Sequence, residues 1–108
     1  MRRLTYVCLG IVLFPSVLYA GQVFGSVISN GRGVANTAIE INCGGTVTTG
    51  ATAGDGSYRI NVAQQGECTF TFAGHAGHPS AVVFSYPEPS QYDFEVVATN
   101  GGSQLRRR

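Results

Sequence analysis

The sequence predicts an all-β fold in which short strands form two sheets that pack as a sandwich. Three observations favour this class. Apolar and polar residues alternate with period two over most of the chain, Gly, Asn and Pro interrupt the alternation about every ten residues, and helical periodicity is absent from the sequence after residue 20. Strands of this length and spacing are typical of β-sandwiches.

The alternation predicts seven strands in order. The first precedes the turn Asn30-Gly31-Arg32-Gly33, and the sixth and seventh are separated by the loop 87–91. Their marker residues are, strand by strand, Val23, Gly25 and Val27; Ile39, Ile41 and Cys43; Val47 and the Thr-rich run to Thr52; Tyr58, Ile60 and Val62; Cys68, Phe70 and Phe72; Val82, Phe84 and Tyr86; and Tyr92, Phe94, Val96 and Ala98.

The fourth strand follows a tight turn at Asp55-Gly56. An Asp side chain can accept hydrogen bonds from nearby backbone amides while Gly accepts a positive φ, so we interpret both residues as structural. A general base or a calcium ligand at Asp55 is the alternative interpretation.

Residues 1–20 have the layout of a signal peptide, with Arg2 and Arg3 before an apolar run and a Leu18-Tyr19-Ala20 end. Cleavage after Ala20 is predicted. The alternative, a retained membrane anchor, has to be built from 17 positions that include polar residues and Pro15, against about 20 apolar residues for a span. The prediction is therefore an exported protein, periplasmic or secreted, with one domain at 21–99 and a tail at 100–108.

Two cysteines follow the leader, Cys43 and Cys68, and each is in phase with the apolar face of its strand. An even number of cysteines in an exported small domain favours a disulfide over a metal site. We predict a Cys43–Cys68 disulfide, and two buried free thiols are the alternative.

The charge pattern argues against nucleic-acid binding. The chain has no lysine, and after residue 20 five arginines face six acidic residues without forming a basic stripe. Three of those arginines, Arg106, Arg107 and Arg108, end a Gly-Gly-Ser tail that we predict to be disordered. The tail could make weak contact with an anionic surface, or it could be simply solvated.

Several segments together resemble a carboxypeptidase regulatory-like domain. They are Gly25-Ser26-Val27, the stretches 34–41 and 52–60, and Gln65-Gly66, and the similarity covers about residues 22–74. It fades where the family often has Gly-Tyr and this chain has Gly74-His75. The resemblance implies a transthyretin-like (prealbumin-like) sandwich, seven-stranded, antiparallel and of Greek-key type, and an accessory module that is not itself a catalyst.

Catalytic and metal-binding motifs give no stronger hypothesis. The sequence contains neither a His-x-x-Glu pair nor a Gly-x-Ser-x-Gly elbow, and we predict no enzyme activity and no cofactor. His75 and His78 are weak candidates for a metal site or a small hydrolase, because two imidazoles lack the third and fourth ligands that zinc takes. Solvated histidines in a turn are the ordinary interpretation.

A partner-binding surface is predicted at the loop after the sixth strand. Tyr86 and Tyr92 flank Pro87 and Pro89, and rigid aromatic side chains bind protein or glycan partners well, although both tyrosines could instead be core residues. With Arg106, Arg107 and Arg108 they form the candidate partner-binding set. We predict a monomeric binding module of the cell envelope or secreted space; the alternative is an accessory subunit that associates through a sheet edge.

Overall fold

The computed structural model describes residues 21–108, and this part of the chain consists of strands, turns and loops. Within it there is no helix with the length and hydropathy needed to cross a bilayer. The predicted signal peptide, residues 1–20, lies outside the described residues. The strands are β1 (Gly21–Ser29), β2 (Arg32–Gly33), β3 (Ala38–Cys43), β4 (Thr46–Ala51), β5 (Ser57–Val62), β6 (Gly66–Thr71), β7 (Ser80–Ser85), β8 (Ser90–Gln91), β9 (Phe94–Thr99) and β10 (Gly102–Arg107).

Alternation and turn chemistry explain why these segments become strands. In β3 and β5 every second side chain is buried, as expected for strands with one face on a core. The hairpin between β1 and β2 turns at Asn30 and Gly31, which both have positive φ, 54° and 79°. Two such residues are what a tight hairpin with the natural strand twist requires.

The strands form two sheets. In the first sheet, β1 is antiparallel to β5 and β2 along one edge and parallel to β8 and β9 along the other, and β10 pairs with β9 in antiparallel fashion. The second sheet is antiparallel throughout and has the order β4-β3-β6-β7. Within the described residues, β7 is therefore the last strand at its end of the second sheet.

The inner faces of the two sheets pack against each other. Phe70 of the second sheet contacts Tyr58 and Phe94 of the first, with ring centroids 5.2 and 4.9 Å apart. The predicted class, all-β with two packed sheets, is confirmed. The shared core consists of Val23, Val27, Ile39, Ile41, Cys43, Tyr58, Ile60, Val62, Cys68, Phe70, Phe72, Val83, Tyr92, Phe94, Val96 and Leu105.

The predicted disulfide is present. Cys43 and Cys68 lie opposite each other on β3 and β6, continuing the register of Asn42 with Thr69, and their sulfur atoms are 2.11 Å apart. Both residues are buried. The disulfide thus joins two neighbouring strands within the second sheet, and the alternative of two free thiols is not what the structure contains.

Three expectations about the strands need correction. The sandwich was expected to be antiparallel, but β1 is parallel to β8 and β9 in the first sheet. The tail 100–108 was predicted to be disordered, but residues 102–107 form β10, because Asn100-Gly101 makes a tight turn and Leu105 reaches the core. The strand count also exceeds seven among the described residues, since β10 and the two-residue strands β2 and β8 add to the predicted set.

Candidate functional site

Three of the four large apolar side chains that are exposed among residues 21–108 lie on or directly after β7. Val83 and Ser85 point into the core, so the alternate residues Val82 and Phe84 point outward, with 54% and 40% of their surface exposed. Tyr86 follows directly and is 51% exposed. We call Val82, Phe84 and Tyr86 the β7 patch. The predicted marker residues of the sixth strand therefore lie on its solvent face.

The rings of the β7 patch are held in a fixed arrangement. The Phe84 and Tyr86 rings are stacked, with centroids 6.4 Å apart and planes inclined by 22°. After them the chain runs against the start of β1, where a Cβ added at Gly21 would lie only 1.7 Å from the Tyr86 carbonyl oxygen. This close approach positions the exposed loop residues Pro87, Glu88 and Pro89 beside the patch.

Tyr92, a member of the candidate partner-binding set, is a core residue. It is 6% exposed, and its hydroxyl oxygen accepts a hydrogen bond of 3.0 Å from the Phe84 backbone N–H. Its carbonyl oxygen accepts a hydrogen bond of 2.5 Å from the Tyr58 hydroxyl. Tyr92 therefore supports the β7 patch from inside, and of the two interpretations of this residue the structure contains the second, a core side chain.

Burial changes the acidity of the hydroxyl that reaches Tyr92. Desolvation raises the pKa of Tyr58 well above its usual 10.0, and the negative charge of Asp93 raises it further. The phenol therefore stays protonated, and remains a hydrogen-bond donor to the Tyr92 carbonyl, at pH values where an exposed tyrosine ionises.

The surroundings of the β7 patch carry negative charge. Glu67 lies opposite Phe84 in the register of β6 and β7, and Glu40 lies opposite Thr71 on the same outer face. Both carboxylates are exposed, and β3, β4, β6 and β7 contain no arginine or lysine. The outer face of the second sheet is therefore apolar at the β7 edge and acidic beside it.

The three C-terminal arginines belong to the folded domain. Arg106 forms an ion pair of 2.5 Å with Glu95, and the Arg107 guanidinium lies over the Tyr92 ring, 4.4 Å from its centroid. The Arg108 backbone N–H donates to the Asp93 carbonyl oxygen at 2.9 Å. All three arginine residues remain exposed, but the side chains of Arg106 and Arg107 already contact Glu95 and Tyr92 of the same chain.

The two histidines lie in a turn between β6 and β7. The His75 ring stacks on Phe72 with centroids 5.8 Å apart, and its Nδ1 lies 3.0 Å from the Ala76 carbonyl oxygen. His78 has a positive φ of 45°, and its N–H donates to the His75 carbonyl oxygen. No group of three or more His, Cys, Asp or Glu residues suited to a metal ion occurs between residues 21 and 108.

Asp55 and Gly56 lie in the turn that leads into β5. The Asp55 carboxylate accepts hydrogen bonds from the Ser57 hydroxyl at 2.6 Å and the Ser57 N–H at 3.0 Å, which lower its pKa below the usual 3.8. Gly56 has φ of +87° and packs against the Gly33 backbone. The Asp55 carboxylate thus stabilises the turn before β5.

A search against models of protein families found no match to this chain, and a search of curated proteins found none either.

Proposed function

We propose that this protein is an exported, non-catalytic binding module that recognises a protein or glycan partner of the cell envelope or secreted space through the β7 patch and the loop after it. One observation carries the proposal. Three large apolar side chains, Val82, Phe84 and Tyr86, are 40% to 54% exposed on and directly after β7, a strand whose other face is in the core. Contiguous exposed apolar surface is typical of interaction sites.

The rigidity of this surface supports binding as its role. Phe84 is fixed by the hydrogen bond from its backbone to Tyr92, and the following loop by its contact with β1. A surface that is ordered before binding loses less conformational entropy when a partner arrives. The backbone that carries the rings is therefore ordered before a partner arrives.

The engagement of the polar side chains supports a non-catalytic role. His75 stacks on Phe72 and contacts its own loop, and the Asp55 carboxylate is occupied by Ser57. A nucleophile, base and orienting acid within hydrogen-bond reach of one another would be needed for hydrolysis. The hydrolase and metal-site alternatives at His75 and His78 therefore receive less support.

The transthyretin-like, Greek-key arrangement and the kinship with carboxypeptidase regulatory-like domains remain our interpretation of the strand pattern. They are supported by the two facing layers, in which four of the longer strands lie in each sheet, and by the Asp55-Gly56 turn that leads into β5. An accessory module of that kind would act by binding.

Export is proposed from the leader and the disulfide. Cleavage after Ala20 would start the mature chain at Gly21. A disulfide between Cys43 and Cys68 is favoured outside a reducing cytosol. N-terminal sequencing of the exported protein should begin at Gly21, and a product that retains residues 1–20 would contradict this part of the proposal.

An accessory subunit that associates through a sheet edge is the second candidate. Within the described residues β7 and β10 each pair with one strand only, so each has an edge available to another chain. Size-exclusion chromatography separates the two ideas, because a binding module should elute as a monomer and an edge-paired subunit as an oligomer.

The binding function is tested by capture from an envelope extract with the immobilised oxidised protein. The double variant Phe84→Thr with Tyr86→Ser keeps strand-compatible residues but removes both rings, and we expect it to lose the captured partner. Val47→Thr is the matched control, since Val47 is 50% exposed on the outer face of β4 at the far side of the sheet. Equal capture by all three proteins would overturn the proposal.

A further inference from the structure

Part of the β7 backbone has no hydrogen-bond partner strand along its outer edge. The Phe84 N–H donates to the Tyr92 hydroxyl and so points away from β6. Because the hydrogen-bonding direction alternates along a strand, the N–H and C=O of Val82 point to that same side. Among residues 21–108 no strand pairs with β7 on that side. Val82 thus offers one donor and one acceptor to an added strand.

Among the described residues, two aromatic rings have an arginine side chain over them, but the exposed rings beside this edge do not. On the first sheet, the Arg59 guanidinium covers Phe24 at 5.5 Å from the ring centroid, and Arg107 covers Tyr92. Among the described residues no guanidinium lies over Phe84 or Tyr86. The carboxylate that lies next to Phe84 across the sheet is Glu67, which belongs to a strand without basic neighbours.

We propose that β7 binds an extended, arginine-bearing segment of a partner polypeptide, which adds to the second sheet as a further strand. This inference rests on the proposed binding function and names the partner's chemistry. Backbone hydrogen bonds to Val82 hold the added strand, as in other cases of strand addition. An arginine of that strand lies over the Phe84 ring and extends toward Glu67.

The sheet geometry permits this contact. Adjacent strands are about 4.8 Å apart, so a residue of the added strand opposite Val82, two residues along from the position of Glu67, lies about 12 Å from the backbone of Glu67. The combined reach of an arginine and a glutamate side chain spans that distance across the ring. A guanidinium held over an aromatic face and paired with a carboxylate gains both interactions.

Charge argues for a foreign strand over a second copy of this chain. Pairing of β7 with β7 would bring together two sets of rings and two Glu67 carboxylates, with no arginine or lysine from either strand. A glycan would use the rings but leave the Val82 backbone groups unpaired. A basic extended polypeptide can place a cation over the rings, pair with the Glu67 carboxylate and form backbone hydrogen bonds with Val82 at the same time.

The probe for this inference is the peptide acetyl-Arg-Val-Arg-Val-Arg-Val-amide, titrated into the oxidised, exported protein by calorimetry. We expect it to bind at least about tenfold more tightly than the matched peptide with Glu in place of Arg. Glu67→Gln should weaken the arginine peptide by about fivefold. Glu40→Gln, farther from β7 on the same face, is the charge-matched control and should change binding much less.

Strand addition has its own readout. Val82→Pro removes the N–H on the open edge while leaving the pairing with β6, and should reduce affinity by at least about tenfold. If this variant is not folded, amide exchange of the unaltered protein replaces it. The peptide should then slow exchange of the Val82 amide more than that of Val97, on the other sheet.

Three results would overturn the inference: equal affinity for the two peptides, no protection of the Val82 amide, or self-association of the protein through β7. Binding of a soluble glycan that depends on Phe84 and Tyr86, without binding of the arginine peptide, would also overturn it. In that last case the proposed function stands, because capture would still depend on the β7 patch.

Discussion

At the scale of single residues, Tyr92 connects the interior of the protein to its exposed surface. Its carbonyl oxygen accepts from Tyr58 in β5, its hydroxyl oxygen accepts from the Phe84 backbone in β7, and its ring lies under Arg107 of β10. The buried ring therefore links the first sheet to β7 of the second. The outward direction of Phe84 therefore depends on a side chain on the inside.

The hydrogen bond between Tyr58 and Tyr92 should contribute measurably to stability. In Tyr58→Phe the Tyr92 carbonyl loses this donor in a buried environment, so we expect the free energy of unfolding to fall by about 1 to 2 kcal/mol in urea titrations. Tyr86→Phe is the matched control, since it removes a hydroxyl from an exposed ring and should change stability by less than about 0.5 kcal/mol. Equal effects of the two substitutions would contradict the role assigned to this bond.

The raised pKa of Tyr58 predicts that the protein loses stability at alkaline pH. The folded state raises the pKa of Tyr58 above the 10.0 of an exposed phenol, so the folded protein binds this proton more tightly than the unfolded chain. Its contribution is complete below about pH 10 and is lost as the pH rises above that value toward the folded pKa. The stability difference between the wild type and Tyr58→Phe should therefore shrink above about pH 10, and a constant difference would count against it.

At the scale of elements, β10 shows how little apolar sequence is needed to order a strand. Only Leu105 is buried, while Arg106 pairs with Glu95 across the ladder and the Asn100-Gly101 turn sets the register with β9. Because the segment is mostly polar, its sequence does not show the alternation that identifies the other strands. An edge strand needs one inward anchor and a partner ladder, and its other side chains can remain in solvent.

The anchoring role of Leu105 gives a prediction for β10. Leu105→Ala should lower the free energy of unfolding by about 2 to 3 kcal/mol, because it leaves a cavity between the sheets. The ion pair at Arg106 is exposed, so Arg106→Gln should cost less than about 1 kcal/mol. Both are measured by urea unfolding, and similar small effects at the two positions would mean that residues 102–107 are not packed in solution.

At the scale of the whole molecule, stability depends on one core between two sheets. A domain of this size has little apolar area to bury, so covalent constraint has a large relative effect. The Cys43–Cys68 disulfide lies inside the second sheet and closes a loop with a sequence separation of 25. It restricts the unfolded chain while adding buried atoms to the core.

Removal of the disulfide should therefore destabilise the whole domain. We expect Cys43→Ala with Cys68→Ala to lower the free energy of unfolding by about 3 to 4 kcal/mol, from the loop entropy of the unfolded state alone. Urea unfolding of the double variant and of the reduced wild type should agree closely. Two alkylatable thiols in the oxidised native protein would show that the bond is absent.

The sequence by itself determined the fold class, the disulfide and most of the core. Period-two alternation identifies buried faces wherever apolar and polar residues strictly alternate, as around Ile39 and Ile41 or Phe70 and Phe72. The cysteines could be paired because each was in phase with such a face. At the candidate site, the sequence indicated Tyr86, Pro87 and Pro89, which are exposed.

The tertiary structure decided what alternation leaves open. Residues 81–84 are all apolar, so the pattern does not say which face of β7 is buried, and only packing against the first sheet turns Val83 inward and Phe84 outward. Tyr92 is buried because β10 and β7 close over it, which no local pattern encodes. Contacts between residues distant in sequence fixed both choices, and they alone define the exposed surface.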